Sequence, residues 1–206
     1  ALRHRLRRLT VPRSDLDHAS TSPLRPAALQ AMRHALDATT SSPLAGDPGR
    51  IHREGMTARV AVEEAREQVA AAFGARSREV VFTSAAASWG ARARGGDLGH
   101  VALSAVEHSA VREWAARGPC TTVGVDATGR VDSDELMSAV RDDTVLVHVQ
   151  WGNHEVGTIQ PVAEVVAACR ERGVLVHVDA AQAAGHVPVD FVDTGADLMS
   201  ISGHKF

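Results

Sequence analysis

An α/β fold with a mainly parallel sheet flanked by helices is predicted by three observations. From about residue 57 onward, helical and strand periodicities alternate along the chain. The best strand candidate, Thr144-Val145-Leu146-Val147-His148-Val149, is almost continuously apolar, as a strand buried on both faces is. The connections between elements are short, with no internal repeat or low-complexity linker.

Residues 57–73 carry an amphipathic helical pattern closed by Gly74, and Glu79-Val80-Val81-Phe82-Thr83 reads as a strand. A second strand is expected over 100–104, followed by a helix over 109–117 that Gly118-Pro119 ends. A short strand over 121–125 precedes a helix over 133–141, with Asp132 or Ser133 as its cap. After the strand at 144–149, Pro161 opens a helix and Gly173 closes it, the usual asymmetry of helix ends. Strands over 174–178 and 198–201 complete the series.

The 206 residues can bury the core of one large domain, and 44% hydrophobic with 23% charged residues is ordinary for a globular protein. A formal net charge of -3 gives no reason to expect nucleic acid or an anionic membrane as a partner. Aromatic residues are 3% with no tyrosine, too few for a platform that stacks single-stranded bases. No apolar run approaches the length of a membrane span. Cys120 and Cys169 lie far apart and in no ligand spacing, so neither a disulfide framework nor a metal site is expected, and both read as structural thiols. A reducing, cytoplasmic location follows. Residues 1–15 form a basic extension that lacks the apolar core of a secretory signal.

Ligands of open α/β sheets bind outside the carboxyl ends of the strands. Four predicted strand ends deliver polar residues there: Glu107-His108, Asn153-His154-Glu155, Asp179 with Gln182, and Ser202-Gly203-His204-Lys205. Lys205 is the single lysine among 22 basic residues, the other 21 being arginine. Guanidinium stays protonated, whereas a desolvated lysine can lose its proton and attack a carbonyl. A lysine and an aspartate reaching a small molecule from neighbouring strand ends suit pyridoxal 5'-phosphate. Its aldehyde forms an imine with lysine, and a carboxylate keeps its ring nitrogen protonated.

The segments Val176-His177-Val178-Asp179-Ala180-Ala181-Gln182-Ala183-Ala184-Gly185 and Asp197-Leu198-Met199-Ser200-Ile201-Ser202-Gly203-His204-Lys205 resemble the cofactor segment of cysteine desulfurases. That family is the class V branch of pyridoxal-phosphate enzymes with the aspartate aminotransferase-like fold. Further colinear resemblances are Leu16-Asp17-His18-Ala19-Ser20-Thr21-Ser22-Pro23, Gly46-Asp47-Pro48-Gly49-Arg50-Ile51-His52, Glu107-His108-Ser109-Ala110-Val111 and Asn153-His154-Glu155-Val156-Gly157-Thr158-Ile159-Gln160-Pro161. The resemblance covers residues 16–206 and implies the cofactor-binding large domain of such an enzyme, without its small domain.

By this resemblance Lys205 would bond the cofactor and move the substrate α-proton, and His108 would stack on the pyridine ring. Asp179 would face the ring nitrogen and Gln182 the phenolic oxygen, while Ser202 and His204 would hold the phosphate. The implied substrate is L-cysteine, converted to alanine with sulfur passing to a cysteine persulfide and then to a sulfur-acceptor protein, in a homodimer. A selenocysteine lyase, another class V lyase and a catalytically silent interaction module are the alternatives.

Three departures from the family stand out. Neither Cys120 nor Cys169 matches its persulfide cysteine, so the chain alone is expected to turn over cysteine poorly. Ala85-Ala86-Ala87-Ser88-Trp89-Gly90 replaces a Gly-Ala-Thr-Glu-type phosphate turn. Asn153-His154 replaces an Asn-Asn pair, and which of the two faces the ligand is open at this level.

Overall fold

The computed structural model describes residues 14–37, 46–83 and 99–206. Helices α1 (Pro26–Asp37) and α2 (Arg53–Ala72) precede the sheet. The order then runs β1 (His100–Ser104), α3 (Ser109–Ala115), β2 (Cys120–Val123), α4 (Ser133–Ser138), β3 (Thr144–Gln150), α5 (Val162–Glu171), β4 (Leu175–Asp179), α6 (Phe191–Thr194) and β5 (Leu198–Ser200). The five strands form one sheet in the order β2-β1-β3-β4-β5, and every pairing is parallel.

Strand alternation sorts the core into two layers. Ala102, Val147, Val149, Val176 and Val178 face one way and pack with Leu136 and Met137 of α4 and Val162, Val165, Val166 and Cys169 of α5. Val101, Leu103 and Leu146 pack with Val111 and Ala115 of α3 and with Trp114. Side chains of this size stabilise the fold by ~1.5–3 kcal/mol each when fully buried. Helix ends follow local chemistry: the Asp132 carboxylate accepts the Asp134 and Glu135 amides at 2.8 and 3.0 Å, which settles the cap of α4 on Asp132. Gly173 ends α5 with a φ of +67°, a conformation that favours glycine.

The second layer also carries polar groups. His148 and His177 are ladder partners, and their Nδ1 atoms meet at 2.9 Å. One nitrogen of such a contact must donate and the other accept, so a single proton lies between the two Nδ1 atoms. His177 Nε2 bonds the Ser200 hydroxyl at 2.7 Å, and Trp114 meets the His148 ring edge to face.

The strand expected over 79–83 is not formed. A short 3-10 turn, Ser77–Glu79, leads into residues 80–83, which pair with no strand among the described residues. A cavity of ≈ 340 Å³, lined by Val80, Val81, Thr83 and Leu198 to Ile201, separates them from the open edge of β5. With no ladder partner among the described residues, Val81 and Phe82 stay 55% and 52% exposed despite their strand-forming composition. Cys120 is also a correction: it is exposed at the first position of β2, whereas Cys169 is fully buried as expected. No helix among the described residues is long and apolar enough to cross a membrane.

Candidate active site

In the observed strand order the chain leaves β1, goes to β2 on one side, and returns to β3 on the other. The crevice at the carboxyl ends of β1 and β3 is therefore the place where strand order reverses, the usual ligand position in such sheets. The segments after β1 and β3 meet there. The rings of His108 and His154 lie 5.7 Å apart between centroids, tilted by 50°.

His108 is half-buried and caps α3, its Nδ1 accepting the Ala110 amide at 3.2 Å. With Nδ1 as acceptor, the proton of the neutral ring sits on Nε2. Asn153 and His154 divide their tasks. Asn153 is buried, donates through Nδ2 to Val106 O and Gln150 Oε1, and accepts the amides of Glu155 and Val156 on Oδ1. Its amide is committed to shaping the loop, and His154 is the member of the pair that stands beside His108.

Asp179 ends β4 between Gln150 and Ser200, its ladder partners on β3 and β5. It is 8% exposed, and its Oδ1 accepts the Ala181 amide at 3.0 Å. The same carboxylate charge acts on two buried neighbours, Glu107 and His177.

Lys205 is half-buried in a tight turn closed by its own amide on Ser202 O at 3.0 Å. The N-terminal segment lies across this turn. Ser22 donates its amide to His204 O at 3.0 Å and its hydroxyl to Lys205 O at 2.8 Å, and Gln182 Nε2 donates to Ala19 O at 2.6 Å. The bond to Ala19 fixes the plane of the Gln182 amide. Beyond the turn, Phe206 packs edge to face on Phe73, with ring centroids 5.7 Å apart. A side chain at Gly185 would collide with Phe206, so only glycine fits there, at a φ of +79°. Ser202 is half-buried and the His204 side chain exposed. The altered turn at 85–90 lies outside the described residues, as does the basic extension up to residue 13.

Two contributors escaped sequence reasoning. Glu107 was noticed only as the neighbour of His108. It is 3% exposed, and its Oε1 accepts the Gln150 amide at 2.7 Å. Burial, reinforced by the Asp179 charge and only partly offset by that hydrogen bond, pushes its carboxyl up to about 8. The strap at Ala19 and Ser22 lies in a segment whose resemblance was noted, but nothing local in it signals contacts so distant in sequence.

No group of three or more metal-ligating side chains is formed among the described residues. Instead the segments that follow the strand ends carry a buried carboxylate at Asp179, the lysine of the Ser202–Lys205 turn, and the two adjacent imidazoles of His108 and His154. That donor set suits the ring end of an aromatic aldehyde cofactor, with the carboxylate for a ring nitrogen, the amine for the aldehyde and an imidazole for the ring face.

A sheet of this topology with lysine and aspartate at one rim defines a class, and a family model, aminotransferase class-V, matches residues 15–206. The chain belongs to that family. Among its relatives, cysteine desulfurase IscS of Dictyoglomus turgidum is 39% identical over 93% of this chain and 50% of its own length. A solved structure described as SspA in complex with cysteine superposes with a TM-score of 0.81 at 28% identity, covering 91% of this chain and 56% of that one. A NifS-like protein gives 0.81 at 30% identity, over 92% and 54%. The chain spans about half the length of the curated relatives it matches.

Proposed function

We propose that the chain is the cofactor-binding part of a pyridoxal-phosphate-dependent cysteine desulfurase. The observation that supports this reading is that the single lysine, Lys205, follows β5, whose last residue Ser200 is the ladder partner of the buried Asp179. When bound, the cofactor supplies an electron sink that lets the substrate Cα–H bond break. The family relationship and the bound cysteine named for one structural neighbour support this choice.

Each residue has a task in this reading. Lys205 would hold the cofactor aldehyde through Nζ and would take and return the substrate α-proton. Asp179 holds its negative charge against the ring nitrogen. His108, with its proton on Nε2, covers the ring face beside His154. Gln182, its amide plane fixed by Ala19, donates toward the phenolic oxygen, and Ser202 and His204 take the phosphate end. Residues 16–206 act as the large domain, with 1–15 as an extension.

The overall change breaks the carbon–sulfur bond of L-cysteine, leaving L-alanine, and transfers sulfur to a thiol that becomes a persulfide. Neither cysteine of this chain suits that thiol. Cys169 is buried and its thiol is pushed up to about 11 by burial, while Cys120 sits at the amino end of β2, the edge opposite the rim. The acceptor thiol therefore belongs to another part of the complete enzyme, and a sulfur-accepting protein takes the persulfide sulfur onward. Homodimer assembly is part of the proposal. The apolar stripe of Leu29, Met32 and Leu36 on α1 is exposed in the single chain and supports a covered surface there.

The test uses the purified chain with added pyridoxal phosphate. An absorption band near the visible edge that collapses with borohydride and is missing in Lys205→Ala supports the reading. So does exchange of the α-hydrogen of L-cysteine with deuterated solvent that Lys205→Ala abolishes. Cofactor binding unaffected by Lys205→Ala, or no binding at saturating cofactor, overturns it.

A further inference from the structure

We propose that Glu107 and Asp179 form a divided pair at the floor of the site, in which Glu107 keeps the proton on Oε2 and leaves Asp179 as the ionised member. The pair itself is a property of the chain. Its use, a whole negative charge presented to the cofactor nitrogen by Asp179, rests on the function proposed above.

The geometry begins with Gln150, the last residue of β3. It is the ladder partner of Asp179, and its amide donates to Glu107 Oε1 at 2.7 Å. The two carboxyl groups are thus held against the same strand end from opposite sides. No ion pair to either carboxyl is formed among the described residues. Glu107 Oε2 is fully buried and has no hydrogen-bond partner among the described residues.

An ionised carboxylate buried with one of its oxygens unpartnered is costly, and a second negative charge beside it makes it costlier. A proton on Glu107 removes both the buried charge and the repulsion, leaving one neutral O–H unpaired, whereas a proton on Asp179 removes the repulsion alone. Oε1 of Glu107 is occupied as an acceptor, and Oε2 is the orphan that becomes an O–H. Asp179 retains an 8% exposed surface and accepts the Ala181 amide at the first turn after β4, a donor that favours its charged form. Asp is also the stronger acid of the two types by about 0.4 pKa units in the absence of any environment. The upward push on Glu107 already described agrees with this direction.

The other titratable groups on the adjoining elements do not upset the assignment. His177 on β4 and His148 on β3 are both held neutral by burial. His108 follows Glu107 directly and commits its Nδ1 to the Ala110 amide. Glu107 touches neither substrate nor cofactor in this scheme. It is a positioning residue that acts through Asp179, whose charge would otherwise be shared with, or lost to, a second acid.

The experiment reads the carboxyl groups by infrared spectroscopy of the whole chain without cofactor at neutral pH, in wild type, Glu107→Gln and Asp179→Asn. A protonated-carboxyl band in wild type that is lost in Glu107→Gln and kept in Asp179→Asn supports the proposal. Absence of the band in wild type, or its loss in Asp179→Asn alone, overturns it. A measurement that needs no variant is carbon-13 magnetic resonance of protein labelled at the glutamate side-chain carboxyls. One resonance titrating near pH 8 is expected, and titration of all of them in the ordinary acid range overturns the assignment. Failure of pyridoxal phosphate to bind while the band is present counts against the proposed function and leaves the proton on Glu107 established.

Discussion

The folded chain should be most stable near pH 6.5, with stability falling on both sides for different reasons. Burial depresses His148 from an ordinary 6.5 to about 3, and His177 is lowered in the same direction. Protons therefore bind the unfolded chain first, and the stability contributed by these neutral rings is lost as pH falls below 6.5. For His148 this loss is ~1.4 kcal/mol per pH unit, up to ~5 kcal/mol in all, and His177 adds to it in the same direction. Glu107, raised from 4.5 to about 8, has the opposite sign. Its contribution is complete below 4.5 and is lost as pH rises to 8, again by ~1.4 kcal/mol per unit. Between 6.5 and 8 only Glu107 changes among these three, so stability should fall by ~2 kcal/mol. Between 6.5 and 5 the loss at His148 offsets the gain at Glu107, and the lowering of His177 tips the balance to a net loss. The carboxylates with lowered values, such as Asp126 and Glu79, act below this window. Urea unfolding midpoints measured from pH 5 to 8.5 provide the assay. In Glu107→Gln the alkaline decline should vanish and the acid limb should steepen. A wild-type chain whose stability is flat or rising from pH 6.5 to 8, or a Glu107→Gln variant that keeps the decline, would refute the reasoning.

Ser22→Ala removes the 2.8 Å hydroxyl bond to the Lys205 carbonyl and should weaken pyridoxal-phosphate binding about fivefold, for ~1 kcal/mol, with little change in the unfolding midpoint. A cofactor titration checks it. Leu136→Ala empties a fully buried position beneath the sheet and should cost ~2–5 kcal/mol in denaturant unfolding. An alkylating reagent should label the exposed Cys120 at least ~100-fold faster than Cys169, whose thiol burial pushes from 9 to about 11, as peptide mass analysis will show.

The centre of the sheet was legible because burial on both faces leaves its mark in composition: β1, β3 and β4 fall within a residue or two of the runs that announced them. Residues 80–83 carry the same composition without the structure, since a strand needs a partner and the sequence does not say whether one is present. Helix α1 is not legible in the sequence, and its short apolar stripe is exposed among the described residues. At the site, the identity of the rim residues was readable from residue type and from the strand-end rule. Their division of labour was not. That Asn153 shapes the loop while His154 stands beside His108, and that Glu107 meets Asp179 across Gln150, follows from register and side-chain direction.

The bond from Ser22 to Lys205 joins residues 183 positions apart, while the strands beneath it are closed by crossovers of a few dozen. On a ribosome, the strands can pair before the residue carrying the amine has left the exit tunnel. The strap then closes over a scaffold that already exists, at the far end of the contact-order scale. Within this span, the turn that carries the amine is therefore completed only after the strand pairings it rests on.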